Sequence, residues 1–130
     1  MLLSVNVPIT KTTKKLKKIS IPKTVIYNGK KYKVGAVSDD CFCDLTKLKS
    51  VVLGDNVRSI GYEAFWGCSS LKTITLGKGL ESPGDIFDYA FSKCKKLRTL
   101  IVKNKKLKKK LKNNKKFRKR TGLNSKVKIK

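Results

Sequence analysis

The chain has 130 residues and a formal net charge of +25, from 33 Lys and Arg residues against 8 Asp and Glu residues, with no histidine. This length fits one domain with a modest core, and the sequence has no apolar run long enough to cross a membrane. It lacks the side chain that titrates near neutral pH, a Gly-rich phosphate loop and a nucleophile elbow, so we expect no enzyme.

The N-terminal residues 1–36 predict a cap on the rest of the chain. Residues 4–7 alternate between polar and apolar side chains, which is typical of a strand. Residues 16–21 form a second strand pattern, which Pro22 ends because proline cannot donate a hydrogen bond to a sheet. The Asn-Gly pair at 28–29, between alternating apolar residues, is the strongest short-range signal for a hairpin. We therefore interpret this segment as an N-terminal β-hairpin cap.

The central residues 37–104 contain a repeated pattern. In each copy, a phenylalanine is followed six residues later by a leucine, which opens a strand pattern with apolar residues three and five positions further on. The phenylalanines and leucines of the three copies are Phe42, Phe65, Phe91, Leu48, Leu71 and Leu97. Because side chains alternate along a strand, stacked copies would bury Val51, Ile74 and Leu100 in one core, which a single copy cannot do. Each copy predicts one coil with a short parallel strand and a helical turn around its phenylalanine. The three coils are 37–56, 57–79 and 80–104.

The second copy shows the pattern most fully, since residues 60–76 read IGYEAFWGCSSLKTITL. This segment resembles the repeat unit of BspA-type leucine-rich repeat proteins, roughly Ile-Gly-x-x-Ala-Phe-x-Gly-Cys-x-x-Leu-x-x-Ile-x-Leu. The first copy departs from that unit at three positions, and the third has lysine in place of glycine. These departures are Cys41, Asp44, Leu45 and Lys93. The resemblance implies an α/β repeat fold, a short leucine-rich-repeat solenoid with a parallel strand stack. It also implies a non-enzymatic bacterial protein, usually secreted or on the cell surface, that binds other macromolecules.

The four cysteines raise the question of a metal site. They are Cys41, Cys43, Cys68 and Cys94. One C-x-C and two isolated cysteines, without histidine, do not have the paired spacing of zinc ligands. We therefore interpret Cys68 and Cys94 as small buried hydrophobic residues, and we expect no metal and no cofactor. These two cysteines occupy equivalent positions on neighbouring coils, about 4.8 Å apart by strand spacing, so a disulfide between them is an open alternative.

The C-terminal residues 105–130 predict a basic cap made of a helix and a strand, within the same single domain. A helix would place three apolar residues on one face. They are Leu107, Leu111 and Phe117. Gly122 is a typical helix stop, because glycine readily adopts the left-handed conformation that a helix C-cap needs. Residues 127–130 alternate and predict a closing strand.

The exposed side of the strand stack is the first candidate binding surface. The residue after each strand-leading leucine is basic, and the next residue in each of the three coils carries a hydroxyl. These residues are Lys17, Lys49, Lys72 and Arg98, followed by Ser50, Thr73 and Thr99. The basic set predicts either an anion-facing stripe or a solvated edge of little energetic consequence. Trp66 occupies a variable position of its repeat and is either an interface anchor or a cover for its own coil.

The basic tail is the second candidate, as a site for polyanions. Its residues are Lys105, Lys106, Lys108, Lys109, Lys110, Lys112, Lys115, Lys116, Arg118, Lys119 and Arg120. Residues 39–102 are nearly neutral, so the positive charge lies at the two ends of the chain. Such ends attract phosphate, teichoic or sulfated polymers and release counterions, unless the tail is only a lysine-rich cap. Of the 33 basic residues 29 are lysine, whereas base reading favours arginine, so sequence-specific nucleic-acid recognition is not expected.

These observations predict a non-enzymatic leucine-rich-repeat binding module. Its expected partner is a protein or an anionic surface polymer, with the Lys-rich ends holding polyanions. The alternatives are an intracellular or phage-encoded protein that binds nucleic acid non-specifically through its basic ends, and a purely structural piece of a longer array. Because no hydrophobic signal region follows Met1, we expect a cell-surface or secreted location if a leader precedes the chain, and a cytoplasmic one if it is complete. The sequence does not indicate an oligomeric state.

Overall fold

The computed structural model describes residues 2–5 and 13–130. Its strands are β1 (Leu2–Val5), β2 (Lys18–Ile21), β3 (Thr24–Tyr27), β4 (Lys30–Val37), β5 (Ser50–Leu53), β6 (Ser59–Ile60), β7 (Thr73–Leu76), β8 (Thr99–Val102) and β9 (Lys128–Ile129). Its α-helices are α1 (Lys105–Leu111) and α2 (Lys115–Thr121), and short 3₁₀ helices span Thr13–Lys15 and Pro83–Asp85. The first strand therefore begins two residues before the predicted segment 4–7, of which residues 6 and 7 lie outside the described part.

The repeat sheet is a stack of five parallel strands in the order β2-β5-β7-β8-β9. The equivalent apolar residues of successive coils are paired in one register across this sheet. They are Ile19, Val51, Ile74, Leu100 and Ile129. The predicted fold class, a parallel strand stack of a leucine-rich-repeat solenoid, is confirmed. The closing strand predicted at 127–130 is also present, as β9.

The N-terminal sheet is organised around β4. Strand β1 pairs in parallel with one edge of β4, whereas β3 and β6 share the other edge, β3 antiparallel and β6 parallel. The predicted hairpin is confirmed, because β3 and β4 are joined by a two-residue turn at Asn28 and Gly29. Their φ angles are 50° and 72°. Positive φ at both central residues is the type I′ geometry that suits the right-handed twist of a hairpin.

The core lies between the repeat sheet and the phenylalanines of the connecting segments. Phe42, Phe65 and Phe91 are at most 1% exposed. Their rings stack along the coil axis, with centroids 5.2 Å apart for the first pair and 6.1 Å for the second. The leucines that open the three repeat strands are fully buried on the same interior: Leu48, Leu71 and Leu97. The prediction of one continuous stacked core is therefore confirmed.

The helical turn predicted around each phenylalanine is wrong. The structure has successive hydrogen-bonded turns there, and each such segment is bonded to the equivalent segment of the next coil. The backbone N–H of each phenylalanine donates to the next coil instead of to its own. Phe42 donates to Ala64 at 2.8 Å, Phe65 to Ala90 at 2.9 Å and Phe91 to Thr121 at 2.9 Å. Residues with left-handed backbone flank each phenylalanine, and they interrupt any helix. They are Asp40, Asp44, Glu63, Gly67, Tyr89 and Lys93. These three segments, residues 38–45, 61–68 and 87–94, form the side of the core opposite the repeat sheet. We call them the turn ladder.

The single C-terminal helix predicted from the apolar positions is two helices in the structure. The helical conformation is interrupted between α1 and α2, where Asn113 has a left-handed φ of 58°. Asn114 then caps α2, because its side-chain oxygen accepts the Phe117 N–H at 2.9 Å. The three predicted apolar residues are nevertheless all buried: Leu107, Leu111 and Phe117. The helix stop at Gly122 is confirmed, since this residue ends α2 with a φ of 73°.

Candidate binding surfaces

The outward face of the repeat sheet carries the predicted hydroxyl row. Burial alternates along β5, so Ser50 and Val52 point away from the core. Ser50 lies opposite Thr73, and Thr73 lies opposite Thr99, in the parallel register. The structure therefore aligns the three predicted hydroxyl residues across neighbouring strands. Each is half-buried, with part of its surface open to solvent.

A second outward row, not among the predicted residues, lies two positions further along each strand. Val52 pairs with Thr75, and Thr75 pairs with Ile101. Val52 is 39% exposed and Ile101 is 36% exposed. The same period-two alternation that predicts the buried positions also sends these residues outward. The strand face therefore combines hydroxyl groups with two exposed apolar side chains.

The predicted basic residues form a column at the start of the strands. Lys49 donates its backbone N–H to the Lys17 carbonyl at 2.7 Å, and Lys72 donates to Lys49 at 2.8 Å. Arg98 continues the series by donating to Lys72 at 3.1 Å. We call Lys17, Lys49, Lys72 and Arg98 the basic column; all four are exposed. The Arg98 guanidinium folds back, donating to the backbone carbonyls of Lys95 and Leu97 at 3.0 and 2.8 Å.

The lysines of this column have no carboxylate partner in the described part of the chain. The ion pairs among residues 2–5 and 13–130 are Lys23–Asp55 at 3.5 Å and Arg120–Asp88 at 2.9 Å. Neither involves the basic column. Because hydrogen-bonded backbone sets the spacing of the strands, the backbone positions of these residues recur at about the strand separation of 4.8 Å.

Trp66 does not join the other candidates on the strand face. It belongs to the turn ladder, where its carbonyl accepts the Asp44 N–H at 2.7 Å. Its side chain is half-buried. The structure therefore places Trp66 on the wall that faces the repeat sheet across the core. Any role in binding would involve a different surface from the basic column.

Part of the basic tail lines a cavity of about 590 Å³. The cavity is lined by Lys78, Glu81, Lys103, Asn104, Lys105, Lys106 and Lys110. Asn104 builds this site, because its side-chain oxygen accepts the N–H groups of Lys106 and Leu107 at the start of α1. Its side-chain nitrogen donates to the Lys78 carbonyl at 2.9 Å. We call this site the lysine cavity; it gathers five lysines around one carboxylate, and two of those lysines, Lys78 and Lys103, were not among the predicted site residues.

The two arginines of the tail have partners within the protein. Arg118 donates to the carbonyls of Asn124 and Val127 at 3.1 and 2.8 Å. Arg120 donates to Asp88 at 2.9 Å and also to two backbone carbonyls, those of Pro83 and Ile86. These contacts tie the C-terminal segment together and attach it to the third coil. The other predicted tail residues are exposed lysines, except for the half-buried Lys108.

The buried cysteines in the turn ladder are thiols and serve as hydrogen-bond donors. The Cys68 thiol donates to the Phe42 carbonyl and the Cys94 thiol to the Phe65 carbonyl, both at 3.0 Å. The disulfide alternative is therefore excluded for this pair. Burial raises the pKa of the Cys94 thiol to about 12, and burial followed by the charge of Asp44 raises the pKa of Cys43 to about 11. Raised values oppose the thiolate form that nucleophilic catalysis requires.

Within residues 2–5 and 13–130, no three His, Cys, Asp or Glu side chains group as metal ligands. In the same part of the chain, no helix has both the length and the hydrophobicity needed to span a bilayer.

Comparisons with known proteins agree with this architecture. Residues 11–125 match the family described as "BspA type Leucine rich repeat region (6 copies)". This match extends beyond the repeats into both terminal segments. A comparison with curated protein sequences found no significant match.

Three solved structures resemble the chain. A leucine-rich repeat protein from Bacteroides ovatus is 26% identical, with a TM-score of 0.62 over 70% of this chain. A leucine-rich repeat protein of T. pallidum is 26% identical, with a TM-score of 0.59 over 78% of this chain. A leucine-rich cell surface protein from Faecalibacterium prausnitzii is 25% identical, with a TM-score of 0.50 over 72% of this chain. The chain spans 23%, 44% and 31% of these proteins, respectively. From the repeat geometry and the family match together, the chain belongs to the BspA-type leucine-rich repeat family.

Proposed function

We propose that this chain is a non-enzymatic interaction module whose strand face binds a protein or an anionic surface polymer. Membership of a leucine-rich repeat family supports a role in binding through repeats. The name of the Faecalibacterium prausnitzii neighbour, a cell surface protein, supports a location at the bacterial surface. We further propose that residues 1–36 and 105–130 act as caps on the three coils 37–56, 57–79 and 80–104.

The observation that carries this proposal is the alignment of the basic column. Its lysines stand one coil apart on hydrogen-bonded backbone, and they are exposed, without a carboxylate partner among the described residues. A regular row of cations beside hydroxyl groups suits a partner that presents repeated negative charges. The exposed Val52 and Ile101 on the same face add apolar contact area.

The lysine cavity is the proposed site at which the C-terminal end holds a polyanion. Five lysines surround one glutamate there, so the local charge strongly favours anions. The Lys110 ammonium donates to the Glu81 backbone carbonyl at 3.4 Å. Phosphate, sulfate or teichoic groups of a polymer match this chemistry. The predicted tail residues in this site are Lys105, Lys106 and Lys110.

The alternative, non-specific binding of nucleic acid through the basic ends, draws on the net charge of +25. Two observations weigh against sequence-specific reading. The tail is almost entirely lysine, and Arg118 and Arg120 donate to groups within the protein. Bidentate base recognition relies on arginine.

Titrations with three polymers across a range of salt concentrations test the proposal. The probes are a purified teichoic polymer, heparin and duplex DNA. The full chain is compared with K17Q/K49Q/K72Q, which removes three charges from the basic column. The matched control K109Q/K112Q/K115Q removes three exposed tail charges outside the column and the cavity.

We expect teichoic polymer or heparin to bind in a salt-dependent way, and the column variant to reduce the slope of log K against log salt by about 2–3. The control variant should change the slope less. Equal losses in both variants would show that only total charge matters and would overturn the strand-face assignment. Tight binding of DNA, with no binding of the other polymers, would favour the nucleic-acid alternative.

A further inference from the structure

Strand β3 lies at one edge of the N-terminal sheet, and its outer side has no paired strand among the residues that the structure describes. The two most exposed large hydrophobic side chains among the described residues are consecutive on β3, Ile26 at 78% and Tyr27 at 64%. Val25, which precedes them on the same strand, is partly buried and packs against the core. The strand is therefore anchored to the core at Val25, while Ile26 and Tyr27, on opposite faces of the strand, are open to solvent.

The backbone of β3 also has unused hydrogen-bonding groups. Val34 donates its N–H to the Lys23 carbonyl at 2.9 Å, so this pair is a bonded one. Bonded and non-bonded pairs alternate along an antiparallel ladder, and Thr24 and Ile26 therefore occupy non-bonded positions. Both direct their backbone N–H and C=O groups away from β4. None of these four groups has a hydrogen-bond partner among the residues that the structure describes.

Sheet edges of this kind are usually blunted by charges, prolines or bulges on the edge strand itself. Strand β3 reads TVIY and contains none of these. The charges lie instead one strand behind it, on β4. Thr24, Ile26 and Tyr27 are paired with three lysines, Lys33, Lys31 and Lys30 respectively.

We propose that β3 accepts an extended acidic segment of a partner protein as an additional strand. Backbone hydrogen bonds to Thr24 and Ile26 would supply the pairing, which is the general mode of strand addition to an open sheet edge. The three lysines behind the edge select for acidic side chains in the added strand. Ile26 and Tyr27, which point to opposite faces of the sheet, would offer apolar contacts to consecutive residues of that strand. This surface lies in the N-terminal sheet and is separate from the basic column.

A second copy of the chain fits this edge less well. Two β3 strands could pair around a two-fold axis with Thr24 opposite Ile26. Each copy, however, has a net charge of +25, and the lysines of both copies would then lie close together. Like charges brought together at an interface oppose association. Charge complementarity therefore favours an acidic partner.

The test uses the full chain and a labelled peptide of seven alternating Glu and Val residues, with binding followed by fluorescence anisotropy. A second peptide has the same sequence and charge but is N-methylated on alternate residues, so that one edge cannot donate hydrogen bonds. The protein variant I26P removes an outward-facing N–H without breaking a bond to β4, and it also replaces the Ile26 side chain. The control variant I26T also replaces that side chain but keeps the N–H and a strand-forming residue, so the two variants differ in the backbone donor.

We expect the unmethylated peptide to bind, and N-methylation or I26P to weaken binding about tenfold, as the loss of one or two hydrogen bonds implies. The I26T variant should bind within about threefold of the unchanged protein. Equal binding of both peptides, or no binding of either, would overturn the proposal. A concentration-dependent dimer that I26P abolishes would also overturn it, in favour of a second copy. If I26P fails to fold by circular dichroism, the comparison of the two peptides still decides the question.

Discussion

The stacked phenylalanines make a graded prediction about stability. Phe65 stacks on two rings, at 5.2 and 6.1 Å, and Phe91 stacks on one. Phe117 is also buried, at 2% exposure, but no ring stacks on it among the described residues. Replacing each by leucine removes similar burial, about 1–2 kcal/mol of the roughly 3–5 kcal/mol that truncation to alanine costs. Each lost ring pair adds about 0.5–1.5 kcal/mol.

We therefore expect F117L to cost about 1–2 kcal/mol, F91L about 1.5–3.5 kcal/mol and F65L about 2–5 kcal/mol. Urea unfolding followed by circular dichroism measures these differences, provided that the m-value stays unchanged. The variant F87L is the surface control, because Phe87 is 49% exposed, and it should change stability by less than about 0.5 kcal/mol. Equal costs for F65L and F117L would refute the idea that ring stacking adds to burial.

Two further predictions concern the turn ladder. Gly67 has a φ of +76°, and an added Cβ would collide with the Asp44 side chain, so G67A should lower the free energy of unfolding by about 1–2 kcal/mol. In the matched variant G84A, an added Cβ would make only an ordinary contact with Ser82 Oγ at 3.9 Å, so this variant should be nearly neutral. Thermal melts compare the two variants, and a neutral G67A would contradict the assigned backbone. The second concerns pH: burial raises the pKa of Cys94 to about 12 from an ordinary value of 9.0, so the folded state keeps a proton that the unfolded state releases. This contribution is complete below about pH 9 and is lost as pH rises above it, by about 1.4 kcal/mol at pH 10. The destabilisation caused by C94A, measured in urea at pH 8 and pH 10, should shrink by that amount, and the same destabilisation at both values would refute the assignment.

The strand stack and the hairpin could be predicted because their signals are local. A period of two along each strand decides which side is buried, and the buried positions of Val51, Ile74 and Leu100 follow directly. The Asn-Gly turn at 28–29 requires positive φ at both residues, which few other pairs accept. The register of the basic column then follows from the repeat itself.

The turn ladder could not be predicted because its hydrogen bonds join different coils. Asp40, Glu63 and Tyr89 adopt left-handed backbone without being glycine, and what holds them there is the partner carbonyl on the next coil. Only Gly67 gave a local hint. The apolar spacing around each phenylalanine is equally compatible with a helical turn, so the sequence favoured the wrong element.

The candidate sites likewise divide into features that a local sequence pattern predicts and features that depend on contacts between distant parts of the chain. The hydroxyl row and the basic column are repeats of one position and were predictable. The lysine cavity brings Lys78 together with residues that follow it by more than twenty positions, through the side chain of Asn104. The internal contacts of Arg118 and Arg120 likewise depend on how the C-terminal segment folds back on itself and on the third coil. Counting charge along the chain cannot separate these arginines from the exposed lysines around them.

The backbone hydrogen bonds between coils at the start of the strands bear on the length of ligand that the basic column can contact. Each coil contributes one basic residue to the column, and the backbone positions of successive basic residues are about 4.8 Å apart. Further coils with a basic residue at the same position would lengthen the column without changing this backbone spacing. The number of repeats would therefore set the length of ligand that the column can contact, while the backbone spacing of its residues stays constant.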